Sequence, residues 1–211
     1  EFKIKKSDIV YIFVGRLTER KRPSDILEAY KKLVENIPKH KHPWLFIVGS
    51  GNLEKNLKLF KKTYSLNRII FFGFKENSET IDLLIASDVF CLTSSYDPSP
   101  KSLNEAMTVG LPCIISNGIG TSDDLVENGK SGYVIQTGNI DKYHVAMRNF
   151  YNDRYLIKSM GLDAKNTAYS WSPRQNIRGL MDALKYINKK DSPTIVKKRF
   201  LDSVSNNKVL G

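Results

Sequence analysis

Six short apolar runs recur along the chain, each separated from the next by a stretch long enough for a helix or a compact turn. This alternation limits the fold more than any other feature. The runs are IVYIFVG (9–15), WLFIVGSG (44–51), IIFFGF (69–74), VFCLTSS (89–95), PCIISNG (112–118) and GYVIQTG (132–138). They are apolar throughout rather than alternating, the pattern of strands covered on both faces. The intervening stretches carry apolar residues at helical spacing. These are Ile26, Leu27, Tyr30, Leu33 and Val34 in 24–36, Leu53, Leu57, Phe60 and Tyr64 in 53–64, and Ile81, Leu84 and Ile85 in 78–87. Six β-α units in succession predict an α/β fold with a doubly wound, mostly parallel, six-stranded sheet. The strand signal stops after residue 139. Residues 140–151, 153–168 and 173–188 read as additional C-terminal helices, with SWSP (170–173) as a break and Pro173 suited to the first turn of the last one. The expected organisation is one domain over 1–188 and a basic, polar tail over 189–211.

With 211 residues, the chain is long enough for one domain with a substantial core or for two small ones. No apolar run reaches the roughly 18 residues of a membrane span. The N-terminus, EFKIKKSDIV, has no signal-peptide core, and its lack of an initial Met suggests a processed chain or, better, an expressed fragment. Cys91 and Cys113 sit in apolar runs without disulfide or zinc spacing, so they are expected to be reduced and buried in a cytoplasmic protein. The net charge of +11 is lopsided: 17 lysines and arginines stand against 7 acids in residues 1–75, and 16 against 15 in the rest. A basic half points to an anionic partner or to a solvated lysine-rich face.

Ligands of a doubly wound sheet sit at the carboxyl ends of its strands, where helix N-termini point. At the first junction, GRLTERKRP (15–23), Gly15 lets the chain turn, and Arg16 and Lys21 lie in the loop ahead of a helix opened by Pro23. Two cations near a helix N-terminus suit a diphosphate, though a basic surface loop has the same composition. The second junction, Gly49-Ser50-Gly51, allows close backbone approach and exposes amides to an anion, or is simply a tight turn. The third, with Phe74 and Lys75 ahead of Asn77 or Ser78 as a cap, could face a flat ligand group or be a plain loop.

The fourth junction, SSYDPSPKSLNEAM (94–107), is the richest. Asp97-Pro98 is biased to an extended conformation, Ser99 suits an N-cap and Pro100 a first helical position. Leu103, Ala106 and Met107 face inward, while Ser102 and Glu105 share another face. Glu105 can accept hydrogen bonds from a ribose diol, Asp97 from a sugar hydroxyl, and the amides from Lys101 to Leu103 can receive phosphate or sugar oxygens. Alternatively, Asp97 caps the helix and Glu105 pairs with a lysine. At the fifth, NGIGTSDDL (117–125), Ser122 can cap a short helix that Asp123 and Asp124 complement. No nucleophile, triad or metal-ligand set stands out. His40, His42 and His144 read as surface residues, and Trp44 and Trp171 as core anchors.

Taken in order, these junctions resemble one family. GRLTERK, FIVGSG, IIFFGF, the acid-x7-acid stretch ending in NEAM, GLPCIIS and GIGTSDDLVENGKSGYVI look like the C-terminal, Rossmann-like half of a group 1 retaining glycosyltransferase of GT-B architecture. The likeness runs from about Val10 to Ile187. It implies that Arg16 and Lys21 bind and stabilise the donor's diphosphate, that Glu105 binds the ribose, and that Asp97 stands where a glutamate contacts the transferred sugar. Gly15, Gly49, Ser50, Gly51, Phe74, Lys75, Ser99, Lys101, Ser102, Leu103 and Asn104 are implied to line the donor site. The donor would be a UDP- or GDP-type sugar, with no metal and no other cofactor. The acceptor, a glycan or a lipid-linked sugar, would be held by an N-terminal domain that this chain lacks, so the chain alone would be inactive. Two departures stand out: the first acid is Asp rather than Glu, and the usual E-x-F-G is DPSP.

Two other classes compete. One is a non-catalytic nucleotide- or glycan-binding module of the same fold. The other is a basic protein of the nucleic-acid or membrane surface. Phe13, Phe46, Phe71 and Phe72 fall inside strand runs rather than among exposed basic residues, which argues against nucleic acid. Peripheral contact with an anionic membrane, at the inner face, is compatible with the enzyme reading.

Overall fold

Tyr11, Ile12 and Phe13 are fully buried although successive residues of a strand point to opposite faces, so β1 (Val10–Val14) lies in a sheet covered on both sides. The computed structural model, which describes residues 4–171 and 173–188, has this architecture. β2 (Trp44–Val48), β3 (Ile69–Gly73), β4 (Val89–Leu92), β5 (Cys113–Ser116) and β6 (Gly132–Ile135) join β1 in one sheet of order β3-β2-β1-β4-β5-β6. All five neighbour pairs are parallel. The chain starts in the middle, builds outward to β3, and returns to the other side of β1 with β4. The reversal of strand order between β1 and β4 is the switch point at which such sheets open a crevice.

The helices are α1 (Pro23–Val34), α2 (Glu54–Thr63), α3 (Asn77–Ile85), α4 (Lys101–Thr108), α5 (Ser122–Leu125), α6 (Ile140–Asn152), α7 (Arg154–Ser170) and α8 (Pro173–Asn188). α1 buries Ile26, Leu27, Ala29, Tyr30, Leu33 and Val34 and packs on α6. Buried phenols need partners. The Tyr11 hydroxyl donates to the Met147 carbonyl at 2.6 Å, tying β1 to α6, and that of Tyr30 donates to the Pro43 carbonyl at 2.7 Å. Cys91 and Cys113 are fully buried free thiols, and burial pushes both well up from the ordinary thiol range.

Two compact units divide between Tyr169 and Ser170. The first holds the sheet. The second holds α8, on which Ile177, Leu180, Met181 and Leu184 form an exposed apolar stripe. The expected tail over 189–211 lies outside the described residues.

Several local expectations are corrected. The strands end one to three residues before the apolar runs do, because Gly15, Gly49–Gly51, Thr93–Ser95 and Asn117–Gly118 curl into loops that other loops hold. Ser99 is not the cap of α4, and Pro100 is not its first residue. Pro100 is the N-cap (φ −71°, ψ 118°) and the helix begins at Lys101. Tertiary bonds on either side, at Asp97 and Ser102, set this entry instead of a side-chain cap. α3 is capped by Glu76 in a capping box with Glu79, because the Asn77 carboxamide oxygen is engaged by Lys101 Nζ at 2.9 Å. Thr121 rather than Ser122 precedes α5. Trp44 is buried, with its indole N–H donating to Asp8 at 3.0 Å, but Trp171 is 46% exposed and no core anchor. His40 is exposed, His144 is half-buried, and half-buried His42 has its Nε2 at 2.8 Å from the Ile37 carbonyl.

Candidate functional site

The loops that leave the carboxyl ends of β1, β2, β4 and β5 are stitched to one another by backbone and hydroxyl hydrogen bonds. Gly15 N–H donates to the Val48 carbonyl and Leu17 N–H to the Ser50 carbonyl, both at 3.0 Å, and Leu53 N–H returns to the Leu17 carbonyl at 3.0 Å. Two glycines make this approach feasible. A Cβ at Gly49 would lie 2.9 Å from the carbonyl carbon of Gly15 and closer still to its oxygen, and one at Gly51 would lie 2.6 Å from the carbonyl carbon of Leu17. The small residues of Gly49-Ser50-Gly51 thus serve contact between the β1 and β2 loops.

On the other side of β1, the loop 15–22 is held by the loop that follows β4. Ser95 donates to the Arg20 carbonyl from both its N–H (2.8 Å) and its hydroxyl (3.1 Å), and the Thr93 hydroxyl donates to the Arg22 carbonyl at 2.7 Å. The loop contains a 3-10 turn, Glu19–Lys21, followed by Arg22 in the left-handed region (φ 48°). Arg22 turns away to Asp25, which it contacts at 2.7 and 3.1 Å. That hydrogen bond, above all, raises the guanidinium further than burial lowers it.

The two cations expected to act together differ. Arg16 is exposed, with no ion pair among the described residues. Lys21, whose side chain is 12% accessible, is ion-paired with Asp97. Asp97 is itself 7% exposed, and its backbone is clamped to the β5 loop. Its N–H donates to the Gly118 carbonyl at 3.0 Å, and its carbonyl accepts from Gly120 N–H at 2.8 Å.

α4 points its first turn at the same edge. The Ser102 hydroxyl donates to the Val14 carbonyl at 3.2 Å, which pins the helix beside the end of β1. Glu105, with a side chain 15% accessible, lies 3.1 Å from Lys101 Nζ, so the alternative expectation of a lysine partner is met. That lysine side chain is 77% accessible, so the contact is screened and easily exchanged. Lys101, Asn104 and exposed Ser99 flank it. Leu103 contributes no free amide. Its side chain is in the core and its N–H donates to the Pro100 carbonyl at 3.1 Å. On the β3 side, Phe74 is 70% exposed, and Lys75 pairs with Glu79 at 2.8 Å.

The structure therefore gathers Arg16, Lys21, the Gly49–Gly51 turn, Asp97 and the first turns of α4 around the β1–β4 switch point, with Phe74 and Lys75 on the loop following β3. Sequence reasoning missed the residues that hold them: Thr93, Ser95, Gly118 and Gly120. Small hydroxyl residues directly after the VFCL strand were the available signal. Among the described residues there is no group of three or more His, Cys, Asp or Glu side chains that could hold a metal ion, and no helix is long and apolar enough to cross a membrane.

The family model described as glycosyl transferases group 1 matches residues 1–171. An Escherichia coli relative, UDP-Gal:alpha-D-GlcNAc-diphosphoundecaprenol alpha-1,3-galactosyltransferase, is 35% identical over 158 residues, which is 72% of this chain and 39% of the relative. Among solved structures, S. aureus TarM in complex with UDP matches with a TM-score of 0.74 and 20% identity, over 85% of this chain and 36% of that one. Anabaena Alr3699/HepE, in complex with UDP and glucose, matches with a TM-score of 0.72 and 21% identity, over 84% and 48%. The chain spans less than half the length of each of these proteins.

Proposed function

The chain belongs to the group 1 glycosyl transferases, and from that premise we propose that it is the donor-binding half of a retaining enzyme that transfers a sugar from a nucleoside diphosphate to a glycan or lipid-linked acceptor. The observation that carries this reading is the convergence at one switch point of an exposed arginine, a held lysine and the first turns of a helix bearing Glu105. The diphosphate of a UDP- or GDP-sugar lies against Arg16, Lys21 and the free amides of Lys101 and Ser102. Glu105 exchanges its exposed lysine for the ribose diol. The sugar leaves through an oxocarbenium-like transition state. Fixed cations and helix amides stabilise the departing diphosphate, where negative charge grows. The acceptor attacks from the face the diphosphate leaves, so configuration is retained, and no metal ion or further cofactor takes part. The acceptor is held by a further domain, and this chain alone binds donor without transferring it. The Escherichia coli relative, whose name gives a diphosphoundecaprenol-linked substrate, supports an enzyme working close to the inner face of a membrane.

Titrating the chain with UDP and with GDP while following amide shifts tests the reading. Saturable shifts at Arg16, Lys21, Gly49–Gly51 and Glu105 at millimolar ligand are expected. No shifts at those positions with either nucleotide would refute it. Saturable binding joined to full-length protein that turns over no nucleotide sugar would favour the non-catalytic module.

A further inference from the structure

The family likeness implies that residue 97 contacts the transferred sugar, yet here its carboxylate is engaged elsewhere. We infer that Asp97 is a positioning residue that holds the Lys21 ammonium at the diphosphate position, and that it reads no sugar hydroxyl. The inference rests on the nucleotide-diphosphate reading above.

Three observations carry it. First, Asp97 is 7% exposed and its backbone is bonded on both sides to the β5 loop, at Gly118 and Gly120, so the residue cannot swing out to follow a ligand. Pro98, next in the chain, restricts the backbone of Asp97 to extended conformations and removes a further degree of freedom. Second, its carboxylate is paired with Lys21, whose side chain is nearly as buried as its own. Third, the backbone around Lys21 is held by the loop segment that runs from the end of β4 into Asp97. Arg20 and Arg22 present their carbonyls to Ser95 and Thr93. Lys21 is thus fixed through both its main chain and its side chain by the loop that follows β4.

A free lysine side chain carries rotamer entropy that a ligand must overcome to order it. Prior ordering by Asp97 removes that cost from the binding step. The charge of Asp97 partly offsets that of Lys21, but Arg16 stays exposed and unpaired among the described residues and supplies net attraction to the diphosphate.

The two roles differ in which ligand feels the loss. A sugar-reading Asp97 matters to a UDP-sugar and not to UDP. A residue that positions Lys21 matters to UDP itself, and matters only while Lys21 is present. The experiment is calorimetric titration of the 211-residue chain, as wild type, Asp97→Ala, Lys21→Met and the double variant, with whichever of UDP and GDP binds more tightly. Asp97→Ala and Lys21→Met are each expected to weaken nucleoside diphosphate binding about tenfold, the scale of one charge-assisted contact. The double variant is expected to be no weaker than Lys21→Met alone, within about twofold. Asp97→Glu, which can still reach the lysine, is expected to recover most of the affinity, so lost binding is not mistaken for a lost fold. Unchanged or tighter diphosphate binding by Asp97→Ala overturns the inference and leaves the donor-binding reading standing. So does an additive double variant. Absence of UDP and GDP binding by the wild type overturns both.

Discussion

Replacing Gly49 by alanine places a methyl group against the carbonyl of Gly15, 2.9 Å from its carbon and nearer its oxygen, at a backbone angle (φ 131°) that L-residues rarely adopt. The obstacle is main chain in a neighbouring loop, so no side-chain rotation relieves it. Overpacking of this kind costs about 1–3 kcal/mol, and the backbone strain adds about 1–3 kcal/mol. Gly73 is the matched control. It also has positive φ (69°), but a Cβ there meets nothing within 4 Å, so only the strain of about 1 kcal/mol remains. Gly15 is the second control: its added Cβ would sit 3.5 Å from the Phe13 ring, ordinary contact, and the change should stay within about 0.5 kcal/mol. Urea unfolding separates the three. With a slope of about 2 kcal/mol per molar, Gly49→Ala should lower the midpoint by about 1 M more than Gly73→Ala does. Equal midpoint shifts for Gly49→Ala and Gly73→Ala would show that the β1 and β2 loops are not in the contact described, and the account of the Gly49–Gly51 turn would fall.

Arg16→Met should leave stability within about 0.5 kcal/mol, because the side chain is exposed and unpaired among the described residues, while UDP or GDP affinity falls about tenfold; thermal melts and calorimetry check the two halves. Glu105→Gln should lose less than about 1 kcal/mol, since its partner Lys101 is largely solvated, yet nucleotide affinity should drop and transfer by the full-length parent enzyme should collapse; unchanged transfer removes Glu105 from the site. Burial raises the Asp8 carboxyl, but hydrogen bonds from the Trp44 indole and the Lys5 amide, with the charge of Arg68, outweigh it and hold the group below its ordinary 3.8. A depressed folded value means that this stabilisation is complete above the unfolded value and is lost as pH falls through the folded one. Asp8→Asn should therefore cost on the order of 1 kcal/mol at pH 7 and progressively less as pH falls below 3.8, and a pH-independent cost in urea unfolding would refute it.

The sheet was legible in the sequence because burial on both faces leaves an unmistakable trace: VYIFV and WLFIV have no polar position at all. Parallel pairing and the extra helices follow from spacing. Strand ends and helix caps were less legible, since tertiary bonds decide them. Ser99 has the residue type of an N-cap, but the chain enters α4 at Pro100 because Ser102 is bonded to Val14 and Asp97 to Gly118. Asn77 could have capped α3, but Lys101, 24 positions later, takes its side chain. No local pattern encodes such contacts. The same holds within the site. Arg16 and Lys21 look equivalent in GRLTERK, and only the fold separates an exposed cation from a held one.

That separation bears on how the altered DPSP stretch is understood. An aspartate at position 97 carries its carboxylate one methylene closer to the main chain than a glutamate would, and the bonds to Gly118 and Gly120 fix where that side chain begins. A carboxylate so placed reaches Lys21. The prolines act in the same direction, since Pro98 restricts the residue before it and Pro100 fixes the approach to α4, which makes the loop stiff where glycine would leave it open. If position 97 is engaged with the diphosphate side of the site, recognition of the transferred sugar passes to groups that still face solvent at the rim: the Ser99 hydroxyl, the Asn104 carboxamide and the Lys101 ammonium. Substituting these three should change the preference among nucleotide sugars while leaving affinity for the bare nucleoside diphosphate nearly constant, the opposite of what removing Asp97 or Lys21 does. Competition of several UDP- and GDP-sugars against the bare nucleotide measures that difference, and a rim substitution that weakens UDP and UDP-sugar equally would place the sugar elsewhere.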